Sequence, residues 1–468
     1  MKQRRILMRA IPALVACMAS GYAAASGFQL IEQSGSGMGN AFAGAAATAE
    51  DASTIYFNPA GLTALPAGKQ VVVALHAIDP SATFSNNGTS QGAAGISPVG
   101  GVRRFGGGAG GDAGSMAYVP NAYFAWNIDS KWSAGVGINA PFGLKTEYED
   151  GWIGRFQGIK SEVKSLNINP TLAYKVNDQL SIGFGISYQQ IEAELTKAVN
   201  YQYIIGSNGG TGATPASIGA AAAAGNVEGR STTKGDDTGW GYNFGLTYNL
   251  SDRTRVGLAY RSAIAYRLNG TLTVTPYTGA AGAAIVAGYA NTKNQNISVD
   301  IKVPDTLSLS VLQKLDDRWD ALGDLSWTGW SKIKEIRIKM TAAGATDDVT
   351  TWKLRDTLRL SLGANYKYSD DMKFRFGVAY DQSPVPDQYR TVRLPDNDRT
   401  WLSVGMQYKP NKQGTLDVGF AYLVAKDTSI SNYGEVANAA PYGYPRALLN
   451  GSYDASVRIL SAQYSYNF

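Results

Sequence analysis

The sequence predicts an all-β chain: an antiparallel transmembrane β-barrel of about fourteen strands, preceded by a small-residue segment suited to the barrel lumen. Three observations predict it. Only 17% of the 468 residues are charged, against about a quarter in soluble domains. Apolar residues recur at every second position over long stretches, and tight polar turns alternate with long connections. Outside the first 25 residues, no run approaches the ~18 apolar residues of a spanning helix. One Cys and one His cannot build a disulfide framework or a zinc site, so no metal or cofactor is expected. The length would suit about three ordinary domains or one long barrel.

The chain opens with Lys2, Arg4, Arg5 and Arg9, a mostly apolar stretch from Ala10 to Ala19, and the small residues Ala23-Ala24-Ala25. This is the pattern of an export signal, with residues 1–25 removed. The alternative is a lipoprotein cut before Cys17, after Leu14-Val15-Ala16. Removing the first 25 of 468 residues leaves 443, with 38 basic against 37 acidic side chains. The nominal +5 therefore belongs mostly to the signal, and nucleic acid is not implied.

Residues 26–69 come next, with Gly27, Gly35, Gly37, Gly39, Gly44 and Gly61 among many Ala and Ser and no sustained alternation. Small side chains permit close backbone packing, which suits a hatch inside a lumen. Residues 70–468 form the predicted barrel. The clearest strand carries Trp240, Tyr242, Phe244, Leu246, Tyr248 and Leu250 on one face and Gly241, Asn243, Gly245, Thr247 and Asn249 on the other. The strands predicted in this way cover 70–86, 116–128, 131–146, 161–176, 179–199, 237–250, 253–274, 295–314, 318–340, 350–369, 371–382, 398–409, 414–430 and 452–468. An even number places both ends on the periplasmic side.

Asp129-Ser130, Asn177-Asp178, Ser251-Asp252, Asp316-Asp317, Asp370 and Pro410-Asn411-Lys412-Gln413 mark the tight turns. Trp132 and Trp319 closely follow two of them, where a periplasmic aromatic girdle would lie. Residues 87–115, 200–236 and 275–294 are rich in Gly, Ala, Asn and Ser and read as mobile extracellular loops without cores of their own. The last strand ends Tyr464, Tyr466, Phe468, resembling the terminal signal read by the barrel assembly machinery.

Several motifs carry a family resemblance. Ser26-Gly27-Phe28-Gln29-Leu30, the small-residue run Ser34 to Gly44, and Asn58-Pro59-Ala60 resemble the N-terminal hatch of the FadL-like outer-membrane transporters. Pro141-Phe142-Gly143-Leu144, Gly154-Arg155-Phe156, Ser161-Glu162-Val163-Lys164 and Asn167-Ile168-Asn169-Pro170 are similar to that family's third and fourth strands. Asp381-Gln382-Ser383-Pro384-Val385-Pro386, with Arg390, Pro395-Asp396, Asp398-Arg399 and Trp401-Leu402-Ser403, extends the likeness toward the C-terminus. The resemblance implies an outer-membrane barrel of a Gram-negative bacterium, monomeric, surrounded by membrane lipid and lipopolysaccharide. It implies passive uptake of hydrophobic compounds, above all long-chain fatty acids, captured at the loops, held in the lumen and released sideways into the bilayer as the hatch shifts. Monoaromatic hydrocarbons are the alternative substrate class.

Phe142, Leu144, Trp152, Ile153 and Phe156 concentrate apolar side chains in an expected extracellular loop, as a capture groove or as loop packing. Arg155, Lys160, Lys353 and Arg355 are the candidate carboxylate partners; contacts with lipopolysaccharide phosphates are the other reading. Where family members carry a basic residue beyond the fifth strand, this chain has Ile191-Glu192-Ala193-Glu194, which keeps uncharged aromatics open. Phe28, Asn58, Pro59 and Ala60 are the hatch or gating candidates. A general porin and an outer-membrane lipolytic enzyme are the rival functions. The enzyme would have to use His76, the only histidine, whose place in the first strand suits an ordinary wall position.

Overall fold

The computed structural model describes residues 27–88, 106–225, 227–432 and 449–468. The expected export signal, the Cys17 alternative and residues 89–105 of the first long loop lie outside them. Among the described residues, twenty strand segments join into fourteen antiparallel strands, six of them interrupted once. They are β1 (Gly68–Asn86), β2 (Ala117–Asn127), β3 (Trp132–Asn139 and Gly143–Glu147), β4 (Lys160–Lys175) and β5 (Leu180–Asn200). Next come β6 (Glu228–Ser251), β7 (Thr254–Arg261 and Ile264–Val274), β8 (Gln295–Val303 and Thr306–Lys314) and β9 (Trp319–Thr328 and Glu335–Met340). The last five are β10 (Asp348–Thr351 and Thr357–Lys367), β11 (Met372–Asp381), β12 (Arg399–Tyr408), β13 (Gly414–Ala425 and Thr428–Asn432) and β14 (Leu449–Asn467). Strand β14 pairs with β1 from Gln70↔Asn467 to Asn86↔Gly451 and closes the barrel. Closure removes the edges that an open sheet would leave unpaired in lipid.

The side-chain period of two separates lipid from lumen. In β10, Leu360 is 52% exposed while Arg359 and Ser361 on either side are 7% and 0% exposed. At four of the tight turns the leading Asp or Asn accepts two backbone N–H groups. Asp129 takes those of Lys131 and Trp132, Asn177 those of Gln179 and Leu180, Asp316 those of Arg318 and Trp319, and Asn411 those of Gln413 and Gly414. These side chains mimic a backbone turn, which is why Asx residues mark the connections. Trp132 and Trp319 face outward just beyond two of these turns. Each packs on a tyrosine directly across the ladder, Tyr174 and Tyr366, at 4.6 and 4.7 Å between ring centres.

Two of the long connections differ from expectation. Residues 200–236 and 275–294 contain helices (Tyr201–Gly206, Pro215–Ala224, Ala283–Gly288), and Tyr201, Ile204, Ile205, Ala221 and Val286 bury one another in a small core between them. Sparse apolar residues suffice because the two loops share them. Strand β6 also begins nine residues earlier than its alternation suggests. Its stretch from Glu228 to Asp236 stands beyond the lipid, where the wall has no apolar face to signal.

Residues 27–67 pack against inward-facing side chains of the wall. The backbone N–H of Gly35 donates to Gln463 Oε1 and that of Ala46 to Ser310 Oγ, while Asn121 Nδ2 donates to the Glu32 carbonyl. A buried charge cluster adds to this, with Glu50 paired to Arg375 (2.5 Å) and Lys373 (2.9 Å), and Arg375 also to Asp417 (3.0 Å). Glycine explains how backbone can lie on backbone here. A Cβ on Gly405 would fall 2.8 Å from the Cα of Gly39, and one on Gly39 would fall 2.7 Å from the Cα of Gly405. No side chain fits at either position.

Candidate functional site

The N-terminal segment enters the wall at the break in β3. Ladder pairing between β2 and β3 runs only from Ala122↔Ile138 to Asn127↔Ser133, so the rest of β2 has no partner on that side. Ala140-Pro141-Phe142 leaves the strand, as expected where proline removes a ladder donor. Residues 28–30 pair there instead: Leu30 N–H donates to Pro141 O (2.8 Å) and Gly143 N–H to Phe28 O (2.9 Å). Gly27 holds φ +64° and donates its N–H to Asp396 Oδ2 at 2.9 Å. Phe28 is thereby projected into the lumen, 4.7 Å from the ring of Trp330 and 5.9 Å from that of Phe142.

This aromatic group separates two chambers. The one nearer the long loops is lined by Phe28, Leu144, Ile191, Val299, Ile338 and Trp352, among others, around about 840 Å³ of space that is partly open to solvent. Arg393, in the connection between β11 and β12, is the only charged residue lining it among the described residues. Its guanidinium donates to Lys160 O and Ser161 Oγ at 3.0 Å each and to Thr196 O at 3.3 Å, and the side chain is buried. The second chamber has a mixed lining, more polar than that of the first. Arg261, Arg359, Asp324 and Asp381 line it together with Gln29, Tyr56 and Trp330. Arg261 lies over the Tyr56 ring at 4.3 Å and donates to Tyr56 O and Ser187 Oγ. Arg359 lies over Trp401 at 5.0 Å and donates to Ala41 O, while Asp324 accepts from Ser310 and Ser326. Such a sequence of a greasy compartment followed by a polar one can sort an apolar chain from a polar head.

The structure divides the residues expected to form one capture groove. Phe142 and Leu144 belong to the lumen cluster with Phe28. Trp152 and Ile153 lie elsewhere, in a loop core with Phe84, Tyr148 and Tyr453, where Tyr148 stacks on Trp152 at 3.9 Å. Phe156 packs on Ile159 and Ala198. None of the four candidate cations lines the apolar chamber. Arg155 forms a two-pronged pair with Glu228 (2.8 and 2.6 Å) and Lys160 pairs with Glu162 and Glu194. Lys353 lies over Tyr389, and Arg355 is 3.5 Å from Asp398. Ile191 and Ala193 line the chamber, whereas Glu194 faces away toward Lys160 and Lys234, so this segment brings no carboxylate inside.

Arg393 was not among the expected cations, although it lies between the quoted Arg390 and Pro395; its burial against distant carbonyls has no local signature. Asn58 stitches rather than lines: its Nδ2 donates to Ala46 O and Leu246 O and its Oδ1 accepts from Ala60 N–H, so Asn58-Pro59-Ala60 is tied to the wall at β6. His76 is fully buried, with Nδ1 2.6 Å from Ser461 Oγ and no hydrogen-bond partner at Nε2 among the described residues.

Comparison with known proteins agrees with this architecture. Residues 16–468 match the model of a family described as outer membrane protein transport protein (OMPP1/FadL/TodX). The chain is 29% identical over 466 residues to the long-chain fatty acid transport protein of Escherichia coli K12, covering 95% of this chain and 96% of that one. It is 32% identical over 419 residues to the 47 kDa outer membrane protein of Pasteurella multocida, covering 89% and 91%. Among solved structures, a Pseudomonas aeruginosa FadL homologue superposes with a TM-score of 0.83 at 23% identity, covering 94% of this chain and all of that one. The Pseudomonas putida toluene transporter TodX gives 0.64 at 16% identity, covering 95% and 100%. The chain thus belongs to the OMPP1/FadL/TodX family of outer-membrane transport proteins, as a closed barrel of fourteen strands.

Proposed function

We propose that this outer-membrane barrel takes up long-chain fatty acids by passive passage through its apolar chamber. The observation that carries the reading is a largely apolar chamber with one buried cation, Arg393, among the described residues of its wall. Each CH₂ withdrawn from water gains about 0.8 kcal/mol, and a carboxylate gains a charge-assisted partner at the guanidinium. A relative with this fold is named a long-chain fatty acid transport protein, which supports the same substrate class. Residues 26–69 act as the hatch: movement of Phe28 away from Trp330 joins the chambers, and withdrawal of residues 28–30 from β3 clears the unpaired stretch of β2 as an exit to lipid. Tyr464, Tyr466 and Phe468 serve as the assembly signal, and the exposed aliphatic belt contacts membrane lipid, with lipopolysaccharide above it.

Uptake of monoaromatic hydrocarbons is the second reading, because a structure of this fold is titled a toluene transporter and the chamber wall is almost wholly apolar. Proteoliposomes separate the two. Oleate and toluene are offered to vesicles with and without the barrel. Protein-dependent entry of oleate alone supports the first reading, toluene alone the second, and no protein-dependent entry of either overturns both.

A further inference from the structure

The barrel wall has a second weak line, beginning four strands round from the β3 break. Four neighbouring strands are interrupted at one level. The lower ladders of β7, β8, β9 and β10 end in a row, with Arg261 opposite Thr306, Thr306 opposite Thr328 and Thr328 opposite Thr357. Above that row pairing restarts unevenly. Ile264 meets Val303, but β8 and β9 rejoin only at Val299↔Ile338, leaving six residues of β8 opposite nine of β9. The excess in β9 is the turn Trp330–Lys332, which carries Trp330 inward. Strand β6 likewise loses β7 between its pairings at Asp236 and Asn243. Where the ladders are interrupted only scattered backbone bonds cross, such as Ser262 N–H to Tyr242 O at 2.8 Å and Leu354 N–H to Ile333 O at 3.1 Å, and such a stretch opens at lower cost than its fully paired neighbours.

The polar chamber reaches this line from inside. Arg261, Thr306, Thr328 and Thr357, the row of strand ends, all line it, and so does Tyr260, which shares the outward parity of Leu258. Outside, the line coincides with a change of environment. Below it the exposed residues are Leu258, Leu307, Leu325 and Leu358. Above it they are Arg267, Asp300, Lys302, Lys334 and Lys339. An apolar belt giving way to charges on the long-loop side marks the headgroup level of the outer leaflet. Between β8 and β9 the line is tied by Asp305. Asp305 pairs with Lys332 and accepts from Tyr260 OH at 3.2 Å, and its carbonyl takes the N–H of Gly329 at 3.0 Å.

We infer that this line is a side portal between the polar chamber and the outer-leaflet headgroup zone, latched by Asp305, Lys332 and Tyr260, which admits single-chain anionic amphiphiles directly from the membrane. Lys332 meets the anionic head outside and Arg261 receives it just inside, while the tail stays level with the aliphatic belt. The route bypasses the apolar chamber and Arg393, and it does not depend on which substrate that chamber prefers.

The test uses single cysteines in the full chain, reconstituted with a phosphatidylethanolamine carrying a maleimide on its headgroup; this probe is held in the bilayer and cannot descend through the loops. The only other cysteine is Cys17, ahead of the hatch, and labelled sites are assigned by peptide mapping. A cysteine in place of Thr306 is labelled, and one in place of the inward Ser403 on β12 is not. Asp305→Ala speeds labelling at position 306 by about tenfold or more, the shift expected when a hydrogen bond to a charged group no longer holds the closed state. Lys332→Met keeps an unbranched side chain of similar length and removes the ammonium that lies over Trp327 and pairs with Asp305, giving the same readout if Asp305→Ala does not fold. A rate at position 306 that neither latch variant changes overturns the proposal, as does labelling there by a small water-soluble maleimide but never by the lipid.

Discussion

Replacing Arg393 with Gln tests the carboxylate partner of the apolar chamber. The guanidinium is buried and is the only charge on the chamber wall among the described residues, so a bound carboxylate would depend on it for a charge-assisted bond. Such bonds contribute about 1.5–3 kcal/mol, which corresponds to a loss of about 10- to 150-fold in affinity at ~1.4 kcal/mol per tenfold. Gln can still donate to one of the three oxygens that Arg393 now satisfies, on Lys160, Ser161 and Thr196, which limits damage to the loop. The assay is displacement of a fluorescent fatty acid from the purified barrel by oleate and, separately, by oleyl alcohol. The alcohol has the same chain without the charge, so its affinity should change by less than about threefold, half a decade. Equal weakening for both ligands would show that Arg393 shapes the chamber without holding a head group, and would refute the assignment.

Three further outcomes follow from the packing. Asn58→Ala removes the donor to Ala46 O and Leu246 O; leaving buried carbonyls unmet costs about 1–3 kcal/mol, seen as faster hydrogen exchange confined to residues 44–62. Gly405→Val places branches where Gly39 now lies 2.8 Å from a Cβ position. Overpacking of this kind costs about 1–3 kcal/mol, so the thermal midpoint falls, whereas Val404→Ala, facing lipid at the next position, leaves it nearly unchanged. At the turns, the Asp129 carboxylate sits below the usual aspartate range because it accepts the N–H groups of Trp132 and Lys131, and Asp316 does so through those of Arg318 and Trp319. A lowered folded-state value means that this stabilisation is complete above the ordinary 3.8 and is lost as pH falls through the lowered value. NMR titration should show both midpoints below 3.8, and midpoints at or above it would contradict the turn geometry.

The sequence by itself determined the parts of this protein that rest on local rules. Alternation of period two, Asx turns and tight spacing after Asp129, Asn177, Asp316 and Asn411 are consequences of backbone geometry within a few residues, so strand number and order were legible. Family motifs such as Asn58-Pro59-Ala60 identified the class of transporter. The candidate site was less legible because alternation says that one face is apolar without saying what that face meets. Along Ile297, Val299, Ile301 and Val303 the apolar side turns inward to the chamber and the charges Asp300 and Lys302 turn out, the reverse of Phe244 or Leu360 lower in the wall. That reversal depends on where the membrane ends and on what the lumen encloses. Arg393 and Arg155 look alike in the chain, yet one lines the chamber and the other is clasped by Glu228, 73 residues away. Only the closed barrel decides between them, because contacts between strands distant in sequence set which cation is buried on the wall of the apolar chamber and which is held by Glu228 outside it.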